Sequence, residues 1–375
     1  MIDIDPATTR RILIRANNWI GDVVMIAPAV RAIRERYTEA RLAIVAKAWV
    51  LETLAGNPYY DELIEYDPEG RHAGLAGRLR LARAIRSGGR VDLAVLFQKA
   101  FDAAVLALLA GARARVGYAT DARGPLLTHA LPPPPATMHH AEAFLGLARA
   151  IGCRVEDARP FFHVDGEARE RARTLVATAG LSGSGPLVAL HVGASKPPRA
   201  WHAERFGDLA RRLRRRLDAR LIILVGPDEE ALLGEVTQGL ALGSFLACGT
   251  TGGLRQSAAV IEQCALFVGN DSGPMHVAAA LGVPTVGIFG PGLPRNTAPI
   301  GREGAVAVVG RDYPCAPCRQ AFFTECPPAP SGKPFCLEEI GVGEVERAAL
   351  DLLASPRPEP GLRSRPPAPA DPPRP

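Results

Sequence analysis

The apolar residues of this chain come in short runs separated by stretches of helical spacing. Arg11–Arg15, Leu42–Ala46, Leu63–Tyr66, Val91–Phe97 and Arg115–Tyr118 read as buried strands. Between and after them, Ala27–Tyr37, Leu75–Arg86, Phe101–Ala110 and His139–Ile151 read as helices, with Pro28 in a first turn where its missing N–H is harmless. Leu131–Pro135 breaks the pattern as a loop. A helix over Glu167–Ala179 and a flexible junction, Ser182–Pro186, precede a second alternating set. Its strands are Leu187–Val192, Arg220–Val225, Ser244–Ala247, Cys264–Val268 and Pro284–Phe289. Its helices are Glu204–Leu217, Glu229–Gln238, Leu254–Gln263 and an Ala-rich segment that stops at Gly282; Val342–Leu353 is a last helix. Strands alternating with helices predict an α/β protein built on parallel, doubly wound sheets. We divide the chain into a front domain (1–165), a linker (166–186), a rear domain (187–340), a final helix (341–354) and a Pro/Arg-rich tail (355–375) expected to be disordered.

The length of 375 residues suffices for two domains with full cores. Hydrophobic content of 47% with 22% charged residues is that of a soluble globular protein. The net charge of +5 suits an anionic partner without arguing for nucleic acid. Met1–Arg11 lacks the apolar core of a signal peptide, and the run Ala103–Ala112 is far short of a membrane span. The expected place is therefore the cytoplasm, or peripherally on the inner membrane, with cysteines mostly reduced.

The densest candidate chemistry lies in Asn270-Asp271-Ser272-Gly273-Pro274-Met275-His276, between a strand and a helix. Ligands of open α/β sheets bind at such strand ends, and the helix N-terminus there favours an anion, typically a phosphate. A carboxylate, a hydroxyl and an imidazole packed together favour a ligand site over a plain helix cap. Asp22, after the first strand, is either a turn or cap aspartate or a carboxylate able to take a proton from a hydroxyl. Ser195, Lys196 and Arg199, after the first strand of the second set, suit a diphosphate, against the alternative of a solvated basic loop. Glu229 and Glu230 stand at another strand end, where a carboxylate binds ribose hydroxyls or complements a helix dipole. Cys315-x2-Cys318-x7-Cys326-x9-Cys336 begins like a structural zinc site and continues irregularly; free thiols or disulfides fit as well. The arginines on helix Glu204–Leu217 read as a solvated face, with anionic lipid headgroups as the sharper alternative. No Gly-x-x-x-x-Gly-Lys-[Ser/Thr] loop is present, and no Gly-x-Gly-x-x-Gly follows the first strand. A P-loop ATPase and a typical NAD enzyme are thereby disfavoured.

Three blocks together resemble glycosyltransferase family 9, the ADP-heptose:lipopolysaccharide heptosyltransferases, and within it the heptosyltransferase II branch. They are Asn18-Trp19-Ile20-Gly21-Asp22-Val23-Val24, Asn270 to Leu281, and the Cys-rich loop. The resemblance implies a GT-B fold, two Rossmann-like domains facing a central cleft, with acceptor bound in front and nucleotide sugar behind. It implies that the last helix packs back on the front domain. It implies an inverting transfer that needs no metal for its chemistry, from ADP-heptose to a lipid A-core acceptor at the inner face of the cytoplasmic membrane. Carried onto this chain, Asp22 becomes the catalytic base. Ser195 meets the diphosphate together with one of two cations, Arg199 or Lys196, and Glu230 is preferred over Glu229 for the nucleoside. Asp271 takes the heptose, Ser272 and Gly273 the diphosphate, and His276 supports their turn. Lys99 is an acceptor-phosphate candidate. The alternatives are another core position, a protein acceptor, or a non-catalytic nucleotide-sugar-binding protein.

Overall fold

The computed structural model describes residues 2, 4–181, 183–226, 229–248, 253–318 and 321–355. Ser182, Pro227, Asp228 and the expected tail beyond Ser355 lie outside the described residues.

The front lobe is a six-stranded parallel sheet: β1 (Arg11–Arg15), β2 (Arg41–Ala46), β3 (Glu62–Glu65), β4 (Leu93–Leu96), β5 (Ala114–Tyr118) and β6 (His129–Leu131), in spatial order β3-β2-β1-β4-β5-β6. The rear lobe repeats the plan with β7 (Leu187–His191), β8 (Arg220–Leu224), β9 (Phe245–Cys248), β10 (Leu266–Asn270), β11 (Thr285–Phe289) and β12 (Val306–Gly310), in order β12-β11-β10-β7-β8-β9. Counted within each lobe, both orders are 3-2-1-4-5-6, the doubly wound arrangement whose strand order reverses between the first and fourth strands. The central strands β1, β7, β10 and β11 are buried along their whole length, which is why they read as unbroken apolar runs. The expected pair of Rossmann-like α/β domains is therefore what the chain forms.

Two expectations about helices need correction. The first helix runs from Ile20 to Arg36, so Pro28 sits inside it and not in its first turn. Nearly every residue from Gly21 to Ile33 is buried, and that packing offsets the hydrogen bond the proline removes. Asp22 accordingly lies in the first turn of a helix, behind the N-cap Trp19. The last helix, Val342–Ala354, does not pack back on the front lobe. Its Val345 and Ala349 are buried with Phe206, Leu209 and Leu213 of the helix Ala203–Leu217 in the rear core. Arg212 of that helix reaches Glu346 at 3.3 Å, and Arg216 stands 3.8 Å from it. Arginines from the expected solvated face thus hold the final helix to its own lobe.

Residues 166–186, expected as a linker, begin with the helix Gly166–Thr178 docked on the rear lobe. Ala168 and Ala172 are buried beside Ala258 and Ile261 of the helix Gly253–Ile261, and Arg169 pairs with Glu262 at 2.7 Å. What joins the lobes is closer to the cleft. His139 Nε2 bonds the carbonyl of Ala298 at 3.0 Å, and Asn296 donates to the carbonyls of Ala136 and Met138. The N-termini of helices Ile20–Arg36 and Gly273–Ala280 meet directly.

Candidate active site

Between the lobes lies a cavity of about 960 Å³, lined from the front by Trp19, Gly21, Asp22, Trp49, Gln98, Lys99 and His140, and from the rear by His191, Ser195, Lys196, Arg199, Glu229, Asp271, Ser272, Gly273 and His276. Its position follows from topology. Asp22 comes after β1 and Lys99 after β4, at the front switch point; Ser195 comes after β7 and Asp271 after β10, at the rear one. Each doubly wound sheet thus turns its ligand-binding edge toward the other.

Two glycines allow the lobes to come this close. A Cβ on Gly21 would stand 2.7 Å from His276 Cδ2, and one on Gly273 would stand 2.8 Å from Ile20 Cβ. Neither Trp19 nor Ser272 caps its helix through a side chain. Both helices therefore bring first-turn N–H groups and the positive ends of their dipoles to one place, where an anion is stabilised.

The Asp22 carboxylate is half enclosed in the front wall. Asn17 Nδ2 donates to its Oδ2 at 3.4 Å, and His140 Nδ1 lies 3.6 Å from its Oδ1. Lys99 is close enough for the Asp22 charge to favour its protonated form, although burial, the larger effect, lowers the ammonium's pKa. The pairing makes Lys99 a neighbour of the proposed base as well as an acceptor-phosphate candidate.

On the rear wall, Asn270 is the hidden organiser. Fully buried, it donates to the carbonyls of Val192 and Gly193 at 3.0 and 2.9 Å and accepts from Trp201 N–H at 2.9 Å. It thereby ties the loop that carries Ser195, Lys196 and Arg199 to the end of β10. Arg199 forms an ion pair with Asp271, whose side chain is only 6% exposed. Ser195 and Lys196 remain exposed toward the cavity. Ser272 Oγ donates to the carbonyl of Asn270 at 3.1 Å and stands 3.2 Å from His191 Nδ1. Burial lowers the pKa of both His191 and His276 to about 4, so each is a neutral imidazole near pH 7.

The two glutamates separate. Glu229 lines the cavity and accepts from the Gly226 N–H at 2.5 Å; burial raises its pKa against the hydrogen bonds from Gly226 and Ala194. Glu230 is the first residue of the helix Glu230–Thr237 and is exposed, outside the cavity lining. Glu229, not Glu230, is the carboxylate that lines the cavity. Sequence reading also passed over His140 and His191. The available signals were a His-His pair at a helix start and a histidine ending an apolar strand run.

The four cysteines of the C-terminal loop do come together, away from the cleft. Cys318 and Cys326 both interact with the Cys315 thiol, and Cys336 is buried nearby. Burial, then mutual crowding, raises the pKa of the Cys336 thiol to about 12. Among the described residues no group of three or more His, Cys, Asp or Glu side chains is arranged to hold a metal ion. No helix among them is long and apolar enough to cross a membrane.

Two doubly wound lobes that face one another across a single cavity are the GT-B arrangement of glycosyltransferases. The structure of the glycosyl transferase family 9 protein from Veillonella parvula covers 94% of this chain and 98% of its own, with a TM-score of 0.81 at 24% identity. The Escherichia coli ADP-heptose lipopolysaccharide heptosyltransferase II structure covers 92% and 98%, with a TM-score of 0.74 at 23% identity. In sequence, the lipopolysaccharide heptosyltransferase 2 of Salmonella typhimurium is 28% identical over 79% of this chain and 87% of its own length. The model of glycosyltransferase family 9 (heptosyltransferase) matches residues 78–325, and the chain belongs to that family.

Proposed function

We propose that this glycosyltransferase moves a heptosyl group from ADP-L-glycero-D-manno-heptose to the inner core of lipopolysaccharide, as a heptosyltransferase II-like enzyme. One observation carries the reading: a carboxylate on the front wall faces a rear wall of helix N–H groups, arginine, lysine and serine across a single cavity. The relatives' names, lipopolysaccharide and lipooligosaccharide heptosyltransferase 2, supply the donor sugar and the acceptor class.

In this reading Asp22 takes the proton of an acceptor hydroxyl. The oxygen forms its bond to the anomeric carbon from the face opposite the diphosphate, and the bond to ADP breaks with its electron pair leaving on the diphosphate. Arg199, Lys196, Ser195 and the N–H groups at Ser272–Gly273 stabilise that developing charge with donors already in place. Asp271 holds the heptose, and Glu229 the nucleoside. Arg199 must exchange part of its ion pair with Asp271 for the incoming diphosphate, so donor binding and sugar placement are linked. The chemistry needs no cofactor besides the donor. The lipid A-core acceptor puts the enzyme in the cytoplasm, peripherally on the inner membrane. The test is ADP release with a purified inner-core acceptor, screening ADP-heptose against ADP-glucose and UDP-sugars. ADP-heptose should be used at least about tenfold better, a discrimination of about 1.4 kcal/mol. Equal use of another donor would overturn the assignment.

A further inference from the structure

His140 Nδ1 stands 3.6 Å from Asp22 Oδ1, and no role in the transfer has been given to it. It opens the helix His140–Ala150 directly after His139, whose Nδ1 accepts the Ala141 N–H and whose Nε2 holds the Ala298 carbonyl of the other lobe. The backbone that carries His140 is thus pinned on both sides of the cleft. Its ring packs edge-on to Phe144 with centroids 6.4 Å apart, and buried Phe144 is edge-on to Phe97 at 5.9 Å. The imidazole therefore stands on an aromatic column rising from the front core, and its Nδ1 points at Asp22 Oδ1 from 3.6 Å. Catalytic contacts of this length tighten when substrate is bound. The other carboxylate oxygen has Asn17 Nδ2 as its neighbour.

We propose that His140 is a positioning residue for the base, donating its Nδ1–H to Asp22 Oδ1. This inference rests on Asp22 being the base. With Asn17 on Oδ2 and His140 on Oδ1, the carboxylate plane is held from both sides. A carboxylate oxygen has two lone pairs, so one stays open to the acceptor's hydroxyl. Rotation of the carboxylate is the failure the pair prevents, because a misplacement of about 1 Å costs on the order of a hundredfold in rate.

Two substitutions with opposite merits test it. His140→Phe keeps a ring on Phe144 and removes the donor. His140→Asn removes the ring and keeps an amide N–H near the position of Nδ1. The expected result is a kcat lowered about ten- to a hundredfold in H140F, with donor KM and ADP affinity unchanged, and a kcat restored to within a few fold of wild type in H140N. Added to Asp22→Asn, H140F should cost nothing further, because the residue acts through the carboxylate. Wild-type kcat in H140F would overturn the proposal. So would an H140N enzyme as slow as H140F, which would make the ring's packing the important part, or a full additional loss in the D22N background. Wild-type activity in D22N alone would instead remove Asp22 as the base and is read separately. Thermal melts of each variant identify any loss that comes from unfolding.

Discussion

The imidazole of His276, on the rear lobe, lies against the backbone of Gly21 on the front lobe, with no room between them for a methyl group. One residue beyond Gly21 is the carboxylate proposed as base, and His276 belongs to the helix whose N-terminus is proposed to receive the diphosphate. The contact therefore sets the distance between the proposed base and the proposed diphosphate site.

Gly21→Ala should separate those two functions. The methyl group would push either the ring or the whole lobe away. The expected outcome is a kcat lower by about a hundredfold, following the cost of a displacement near 1 Å, with ADP affinity within about threefold of wild type. Stopped-flow ADP binding and steady-state turnover on the same preparation check it.

Arg199 and Asp271 form a partly buried pair, and removing one partner leaves the other charge unmatched. Arg199→Ala should destabilise the rear lobe by about 3 kcal/mol and weaken donor binding at least tenfold. The double variant Arg199→Ala/Asp271→Asn should recover most of the stability and none of the activity. Denaturant melts and donor titrations distinguish the two effects.

The glutamates at the end of β8 make a paired prediction. Glu229→Gln should raise the donor KM about tenfold, because the amide replaces one of the two carboxylate acceptor oxygens with an NH2 donor and so cannot serve both Gly226 N–H and a ligand hydroxyl as the carboxylate does. Glu230→Gln, exposed and outside the cavity, should leave KM unchanged. Isothermal titration with ADP reads both.

His191 and His276 are neutral in the fold, with pKa lowered to about 4 by burial, and near 6.5 when unfolded. Between those values the unfolded chain binds more protons, so stability rises with pH across the window and is lost as pH falls from 6.5 to 4. Above pH 6.5 the two histidines contribute no slope. Each costs on the order of 3 kcal/mol once forced to charge. Melts at pH 7.5, 6 and 5 should show a falling Tm, and His191→Gln should flatten the fall.

The fold was largely legible because central parallel strands are buried on both faces and announce themselves as apolar runs. What escaped was structure that is not buried. β6, three residues of mixed exposure beside a proline run, and β12, a half-exposed edge strand, carry no such pattern. Pro28 misplaced the start of the first helix, because a proline ordinarily marks a first turn. Here the burial of the surrounding residues keeps it inside. The final helix was assigned to the wrong lobe by family likeness. The arginines of Ala203–Leu217 and Glu346 hold it in the rear one, a pairing across chain distance that no local window displays. Asp22, Arg199 and Asp271 could be placed at the cleft because each follows a strand. His140 and Glu229 gained their meaning only when two distant segments, or two neighbouring carboxylates, were placed in space.

Asp22 is proposed to remove the acceptor's proton during transfer. Single-turnover kinetics of Asp22→Asn with saturating ADP-heptose and inner-core acceptor, alongside ADP titration, test it most directly. The expected rate is lower by about 10²–10⁴-fold, the usual worth of a general base, with ADP affinity within about twofold of wild type. A single-turnover rate close to that of the wild-type enzyme would contradict it.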